Sequence, residues 1–569
     1  MQNEEIRRAL ETIATLMEID GEEHYRVLAY QRAAEAVSAL GHPVSEVGDL
    51  RELPHVGPTT AEAIRELAED RTPQILAELQ ERIPPGLVEV TRLPGVGPRT
   101  AGRLWRELGI TSVEELAALK EGSIAGLKGF GRKSEEKILQ AARKYDAQER
   151  RMLLDEATVL ADRMLEFLRG HPATDRAEVA GSLRRQKETI GDLDLVASSR
   201  DPQALADAFA GAPFVGEVLA HGPAKVFVKC AGVEIDLRIV RPEAFGSLLH
   251  HFTGGKAHNV ALRERAVKMG FNISEYGLRR IGEDGEYEPA ATEEEIYERL
   301  GLPYIPPELR EDRGEIEAAE RGELPELIQL SDIRGDLHVH TNYSDGQGTL
   351  ESMAEAAIGL GYEYLAFCDH SQSLRVARGL PPERLLEKLA AVRRADERYG
   401  EIRLLCGAEV DILRDGTLDY EDALLAELDF VVASVHTAFG MPEEEMTERI
   451  VRAMHNPYVR TIGHPTGRIL NHRDPYAVDV SRLIREARET NTALELNAYP
   501  DRLDLAVPYV REAVEAGVRI TIDTDAHDER ALGYMKFGVS QARRAWVSRE
   551  SVINCLPLPE FERWLAAGK

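Results

Sequence analysis

The sequence predicts a multidomain α/β protein with a helical N-terminal region, a mixed middle region and a C-terminal distorted seven-stranded (βα) barrel. Three observations carry this. Residues 1–145 read as helices with short Gly/Pro punctuation. Residues 150–300 mix helical patterns with alternating strands. From Gly335 onward strand and helix patterns take turns. A chain of 569 residues has room for roughly four domains.

Composition sets outer limits. With 43% hydrophobic and 30% charged residues, the chain can bury several cores. The net charge of −29 argues by itself against a nucleic-acid partner. Net charge does not report distribution, however, and carboxylates that hold metal ions also count as negative. Cys230, Cys368, Cys406 and Cys555 form no CxxC pair and are expected to be reduced core thiols. The first twenty residues, MQNEEIRRALETIATLMEID, read as an amphipathic helix and not as a signal peptide. No run approaches the roughly 20 apolar residues that span a bilayer. A soluble, cytoplasmic protein without membrane partners is expected.

The N-terminal region repeats one design. LPHVGPTTAEAI (53–64), LPGVGPRTAGRL (93–104) and LKGFGRKSEEKI (127–138) each place an apolar residue between two turn residues ahead of a helix. The turn residues are Gly95 and Gly97, Gly129 and Gly131, and in the first copy His55 and Gly57. Such a turn exposes backbone N–H groups at a helix N-terminus, a site for phosphate, and glycine permits positive φ there. These segments resemble helix-hairpin-helix motifs, which grip the DNA backbone without reading sequence. His55 departs from the pattern by standing where the first glycine belongs.

In the middle region, AEVAGSLRRQKETIGDLDLVASS holds Gly181-Ser182, Arg185 and Gly191-Asp192-Leu193-Asp194. Residues two apart on a strand share a face, so Asp192 and Asp194 project together. In GVEIDLRIV, Glu234, Asp236 and Arg238 face one way and the aliphatic residues the other, so Asp236 can join the pair. Three clustered carboxylates suit two Mg²⁺ or Mn²⁺ ions. Two such ions serve both oxygens of an in-line displacement at phosphorus.

On these residues, with HFTGGKAHNVALRERA (251–266) and TEEEIYERLGLPYIPPELRE (292–311), residues 1–300 resemble a family X DNA polymerase. The resemblance implies a nucleotidyltransferase-type palm and thumb. It implies an N-terminal helical domain over 1–85, a second DNA-binding helical domain over 86–147, a palm over 148–240 and a thumb over 241–312. Asp192, Asp194 and Asp236 would hold the two metals, and Asp236 would activate the primer 3′-hydroxyl. Gly181, Ser182, Arg185 and Gly191 would bind the triphosphate of a dNTP. Phe252 and Gly254 would line its sugar, Asn259 would meet its base edge, and Arg263 would probe the template. His251, Glu234 and Lys256 depart from common family residues, His251 at the position that bears on ribonucleotide discrimination. Ala63 and Thr59 stand where relatives with Schiff-base lyase activity carry basic residues. Alanine is no amine nucleophile, so no lyase of that type is expected.

Residues 305–332 are Pro-containing, charged and poor in large apolar side chains, and read as a flexible linker, with 313–332 its core. Beyond it, strand-like runs fall at 336–340, 363–370, 403–412, 430–436, 460–465, 493–498 and 519–527. Helical patterns such as TLESMAEAAIGLGY lie between most of them, which implies a parallel barrel. The strands end in metal-type residues: His338, His340 and Asp345; His370; Glu409; His436; His464; Asp525 and His527. The sixth run offers only Glu495 and Asn497. Such ends form sites in parallel barrels, and mixed His and carboxylate ligands suit Zn²⁺, Mn²⁺ or Fe²⁺.

Residues 333–569 resemble a PHP (polymerase and histidinol phosphatase) domain, with all nine ligand positions filled. The resemblance implies up to three metals. Glu409 would bridge two of them, with His338, His340 and Asp525 on one and His436 and His464 on the other. Asp345, His370 and His527 would hold the third. The combined resemblance implies a monomeric repair polymerase acting on gapped or primer-template DNA with dNTPs. The barrel would supply 3′→5′ exonuclease, 3′-phosphatase or abasic-site endonuclease activity. Competing readings make the barrel a small-molecule phosphatase or an inactive structural module, make the chain a DNA-end scaffold, or give it another acceptor.

Overall fold

The computed structural model describes residues 3–567 except 39, 41–43, 45–46, 70, 92, 94, 121, 128, 145–150, 231 and 283–284. Pro94 and Lys128 of the turn segments, and the expected domain boundary at 147/148, therefore lie outside the described residues. The chain divides into two compact units, Met1–Arg150 and Arg151–Lys569.

The first unit is helical. The helix Asn3–Asp20 buries Ile6, Leu10, Ile13 and Met17 completely, at the i, i+3, i+4 spacing of an amphipathic face. One core runs from Ile6 to Ala142, so the two expected helical domains share it. The helix Pro98–Leu108 lies close enough to the first helix that a Cβ on Gly102 would overlap the Ile19 carbonyl. All three anticipated turns have one geometry. His55, Gly95 and Gly129 take φ of 62°, 85° and 94°, and the helices Pro58–Ala68, Pro98–Leu108 and Arg132–Lys144 follow. Val56 and Val96 are buried between their turn residues and anchor the loops.

The second unit begins with a mixed sheet of strands β1 (Thr174–Val179), β2 (Leu193–Ser199), β3 (Glu217–Gly222), β4 (Lys225–Cys230) and β5 (Val233–Val240). The spatial order is β1-β2-β5-β4-β3, and β2 pairs with β5 in parallel. Leu193, Leu195, Ile235 and Leu237 are fully buried, which leaves the carboxylates on the opposite face. Helices Phe245–Thr253, Lys256–Lys268 and Glu293–Arg299 follow, the last two packed about Leu262, Ile296, Tyr297 and Ile305.

The segment expected as a flexible linker is ordered and packed. Glu315–Arg321 is a helix whose Ile316 and Ala319 join the core of the preceding helices. Glu315, fully buried, takes His258 Nδ1 at 2.5 Å and the Asp312 and Arg313 N–H groups. Ile328 then enters the barrel core. Few large apolar residues suffice here because Ile305, Leu309, Ile316, Leu327 and Ile328 are all buried.

The barrel strands are β6 (Gly335–Val339), β7 (Tyr364–Phe367), β8 (Arg403–Asp411), β9 (Phe430–Ser434), β10 (Thr461–Ile462), β11 (Ala493–Asn497) and β12 (Ile520–Asp523). They form one parallel sheet in sequence order. β6 and β12 nearly close it, through a bridge at Val339 and Ala526 and a bond from His340 N to Ala526 O at 2.7 Å. The helix Leu558–Ala566 plugs one end, where Phe561 stacks on Tyr364 with centroids 4.2 Å apart. The histidines lie at the other end. The four cysteines are free, and three of them are buried. Among the described residues, no helix is long and apolar enough to cross a membrane.

Candidate catalytic centres

The palm site is built where β2 and β5 pair, with Asp194 directly opposite Asp236. Gly181 covers Asp194. It takes φ of 56°, and a Cβ there would overlap the Asp194 carboxylate. Burial, then Asp192 and Asp236, push the Asp194 carboxyl up to about 7. Asp192 lies exposed just before β2. Asp236 meets Arg238 through two contacts of 2.9 Å and Lys225 at 3.1 Å. Three carboxylates this close call for cations, and among the described residues the ion pairs of side-chain cations form at Asp236.

Of the anticipated nucleotide-binding residues, Gly181 and Arg185 lie close to this point, and Phe252 reaches it through Arg238. Arg185 donates to the Thr253 carbonyl at 2.8 Å and lies 3.5 Å from Glu311. Among the described residues, the buried Ser182 hydroxyl has no hydrogen-bond partner. Arg238 sits 4.9 Å over the Phe252 ring. Asn259 donates to the His251 carbonyl at 2.8 Å, and a Cβ on Gly254 would overlap its amide. Gly191 lies beside Arg151, and Arg263 is exposed on its helix. In the first unit, Ala63 is buried and Thr59 exposed.

The barrel site gathers the strand-end residues. Three groups could each hold an ion: His340, Asp345, His370 and His527; His338, His340 and Asp525; His370, Glu409 and His436. Glu409 is the centre. Its Oε2 lies 2.7 Å from His370 Nδ1, and its Oε1 lies 2.9 Å from His464 Nε2 and 3.2 Å from His436 Nε2. His338, His340 and Asp525 fall together, as do Asp345, His370 and His527 with His340. His370 reaches Glu409 as well as Asp345, and His464 meets Glu409 outside the His370–His436 group. Among the described residues, buried His340 Nδ1 and His464 Nδ1 have no hydrogen-bond partner, and His370 Nδ1 and Glu409 Oε2 have only each other, at 2.7 Å. Unsatisfied donor atoms of these types, converging in a buried cluster, fit divalent cations. His464 and Asp525 hold φ of 27° and 54°, strained backbone at the site itself.

Several residues support the cluster: Glu495 and Asn497, noted on the sixth run, and Asp411, Asp369 and Lys388, which the sequence reading did not single out. Glu495 on β11 accepts from His338 Nδ1 at 2.7 Å, and Asp411 on β8 accepts from His436 Nδ1 at 2.5 Å. These bonds orient the rings so that Nε2 faces the cluster. Asn497 donates to Asp525 Oδ2 at 3.1 Å. Asp369 is clamped by Lys388 at 2.8 Å and by Thr341 and Ser344, which fixes the loop carrying Asp345. Burial opposes that carboxylate's charge, but Lys388 and His340 hold its pKa down at about 2. Alternating strand pattern was the one available signal for Glu495 and Asp411.

Comparisons with known proteins bear on both sites. The helix-hairpin-helix domain description matches residues 1–73, and the SAM-like helix-hairpin-helix tandem matches 87–144. The DNA polymerase beta thumb matches 248–311, and the PHP domain matches 336–498. The Bacillus subtilis (strain 168) protein named DNA polymerase/3′-5′ exonuclease PolX is 41% identical over 99% of each chain. DNA polymerase lambda of Rattus norvegicus is 24% identical, covering 54% of this chain and 56% of that one. A probable phosphatase of Acetivibrio thermocellus is 31% identical over 35% of this chain and 81% of its own.

Proposed function

We propose, from the premise that this chain belongs to the bacterial family X DNA polymerases with a C-terminal PHP domain, that it fills short gaps in DNA during repair and trims 3′ ends as a 3′→5′ exonuclease. The carrying observation is Asp194, wedged under Gly181 between Asp192 and Asp236 with its carboxyl raised to about 7. Divalent cations relieve that arrangement.

Asp192, Asp194 and Asp236 hold two Mg²⁺ or Mn²⁺ ions in this reading. Bound there, the ions stabilise the attacking and leaving oxygens of the displacement. Gly181, Ser182, Arg185 and Gly191 hold the triphosphate, and the unpartnered Ser182 hydroxyl is available to it. Asp236 takes the proton of the primer 3′-hydroxyl. Phe252 and Gly254 flank the sugar, Asn259 meets the base edge and Arg263 the template. Gly95, Gly97, Gly129 and Gly131 offer backbone N–H groups to DNA phosphates, whereas the Gly57 N–H already donates to Thr60 Oγ1 at 2.9 Å.

In the barrel, His338, His340, Asp345, His370, Glu409, His436, His464, Asp525 and His527 hold up to three Zn²⁺, Mn²⁺ or Fe²⁺ ions. These supply charge compensation and water activation for phosphodiester hydrolysis. A small-molecule phosphatase reading explains the barrel alone and leaves the palm carboxylates without a role.

The test offers a one-nucleotide-gapped duplex and a 3′-recessed duplex with Mg²⁺ or Mn²⁺. Asp192→Ala/Asp194→Ala abolishes extension and spares degradation; His338→Ala/His340→Ala does the reverse. Full gap filling by the Asp variant overturns the polymerase assignment. Undiminished degradation by the His variant overturns the exonuclease assignment.

A further inference from the structure

Arg502 is a cation placed against a site built for cations. It lies in the loop after β11, with its side chain 22% exposed. Its Nε lies 3.5 Å from Asp525 Oδ2, and among the described residues its guanidinium makes no hydrogen bond. Asp525 turns its other oxygen to His340 Nε2, 3.0 Å away. Asp525 thus stands between the histidine cluster and the guanidinium, and its Oδ2 already accepts from Asn497.

A guanidinium has five N–H donors and a charge it does not lose. Held beside a cluster that takes up divalent ions, it is repelled by them unless an anion lies between. Asp525, the nearest such anion, is shared with His340 and Asn497; Asp501, Glu409 and Asp504 also act on the guanidinium, yet among the described residues none of them accepts a hydrogen bond from it. The backbone under Arg502 is nevertheless fixed. Its carbonyl accepts from Arg468 Nε at 3.0 Å, the Leu503 carbonyl accepts from the Arg468 Nη2 group, and Leu503 takes φ of 43°. Arg502 N–H donates to the Tyr499 carbonyl at 2.8 Å. The donors are therefore presented from a rigid turn, partly open to solvent, at the mouth of the barrel site.

We infer that Arg502 grips the non-bridging oxygens of the phosphate bound at the barrel site. The planar fork of arginine matches two phosphate oxygens, which a lysine ammonium cannot do. The inference rests on the barrel acting on phosphate esters, the reading proposed above, but it assigns a residue that the strand-end pattern does not contain. The alternative role is purely positional, with Arg502 bracing Asp525 for its metal.

The full-length protein is loaded with Mn²⁺, and metal content is measured by mass spectrometry. Inorganic phosphate and thymidine 5′-monophosphate are then titrated calorimetrically into the wild type, Arg502→Gln and Arg502→Lys. The expected result is unchanged metal content with phosphate affinity reduced about tenfold or more in Arg502→Gln, the loss of charge-assisted hydrogen bonds. Arg502→Lys recovers only part of it. In turnover on a 3′-recessed duplex, KM rises in the same order. Loss of metal from Arg502→Gln makes the residue a brace for Asp525 and overturns the inference. So does unchanged phosphate affinity, or the absence of phosphate binding by the wild type. If the wild type binds phosphate through Arg502 yet degrades no DNA, the phosphate grip stands and the exonuclease reading falls.

Discussion

Burial, together with Asp192 and Asp236, raises the Asp194 carboxyl from an ordinary 3.8 to about 7. In the window between these values the folded chain keeps a proton that the unfolded chain has released. Stability therefore falls as pH rises through that window, by up to about 1.4 kcal/mol for each pH unit. In EDTA, the unfolding midpoint of the wild type should drop between pH 5 and pH 8 more steeply than that of Asp194→Asn. Millimolar Mg²⁺ should restore the wild type at pH 8 and leave the variant unmoved. Thermal scans at a series of pH values check this, and equal slopes would refute it. The same residue shows what sequence reveals. Its Asp-Leu-Asp spacing was legible because strand alternation places charge on one face, and the strand-end histidines were legible for the same reason. Asp369, Lys388 and Arg502 were not. Asp369 and Lys388 are buried charges that find each other only in three dimensions, and Arg502 sits in a loop without periodicity.

At the scale of elements, the three N-terminal turns adopt one conformation although only two carry glycine at the positive-φ position. His55 pays the conformational cost at φ of 62°. His55→Gly should therefore raise the thermal stability of the first unit, and Gly95→Ala, at φ of 85°, should lower it, each by about 1 kcal/mol. Denaturation of the full chain followed by proteolysis of residues 1–150 reads both. A destabilising His55→Gly would mean that the imidazole makes a compensating contact. The barrel strands repeat the lesson about legibility. Each was placed correctly, but the seventh was expected to reach His527 and ends at Asp523, and the second was expected to reach His370 and ends at Phe367. His370 and His527 leave the ladder because they turn inward over the barrel end, where the backbone is strained at Asp525, while His338 and Glu409 stay on it. Apolar runs mark the ladder, not the turns that carry chemistry.

For the whole molecule, the expectation of a flexible linker at 305–332 gives way to a braced second unit. Palm, thumb and barrel share contacts: Arg468 reaches Glu188 at 2.8 Å, Arg543 reaches Glu308 at 2.7 Å, and Gln541 donates to the Gln186 carbonyl at 2.9 Å. Leu503 and Phe537 of the barrel lie in the palm core. A 3′ end must then travel between fixed sites, and a protease should spare 313–332 in the folded chain. The contact at Glu188 has a sharper consequence, because Arg468 also holds the Arg502 and Leu503 carbonyls. Arg468→Ala frees the turn beside Asp525 while leaving Asp192, Asp194 and Asp236 in place. Misplacement of a site residue by about 1 Å can cost on the order of a hundredfold in rate. Degradation of a 3′-recessed duplex should thus fall by roughly tenfold to a hundredfold, and gap filling should change little. Parallel assays of both activities on Arg468→Ala decide it. Equal losses would mean that Arg468 supports the fold of the unit as a whole, and no loss would mean that the turn holds itself.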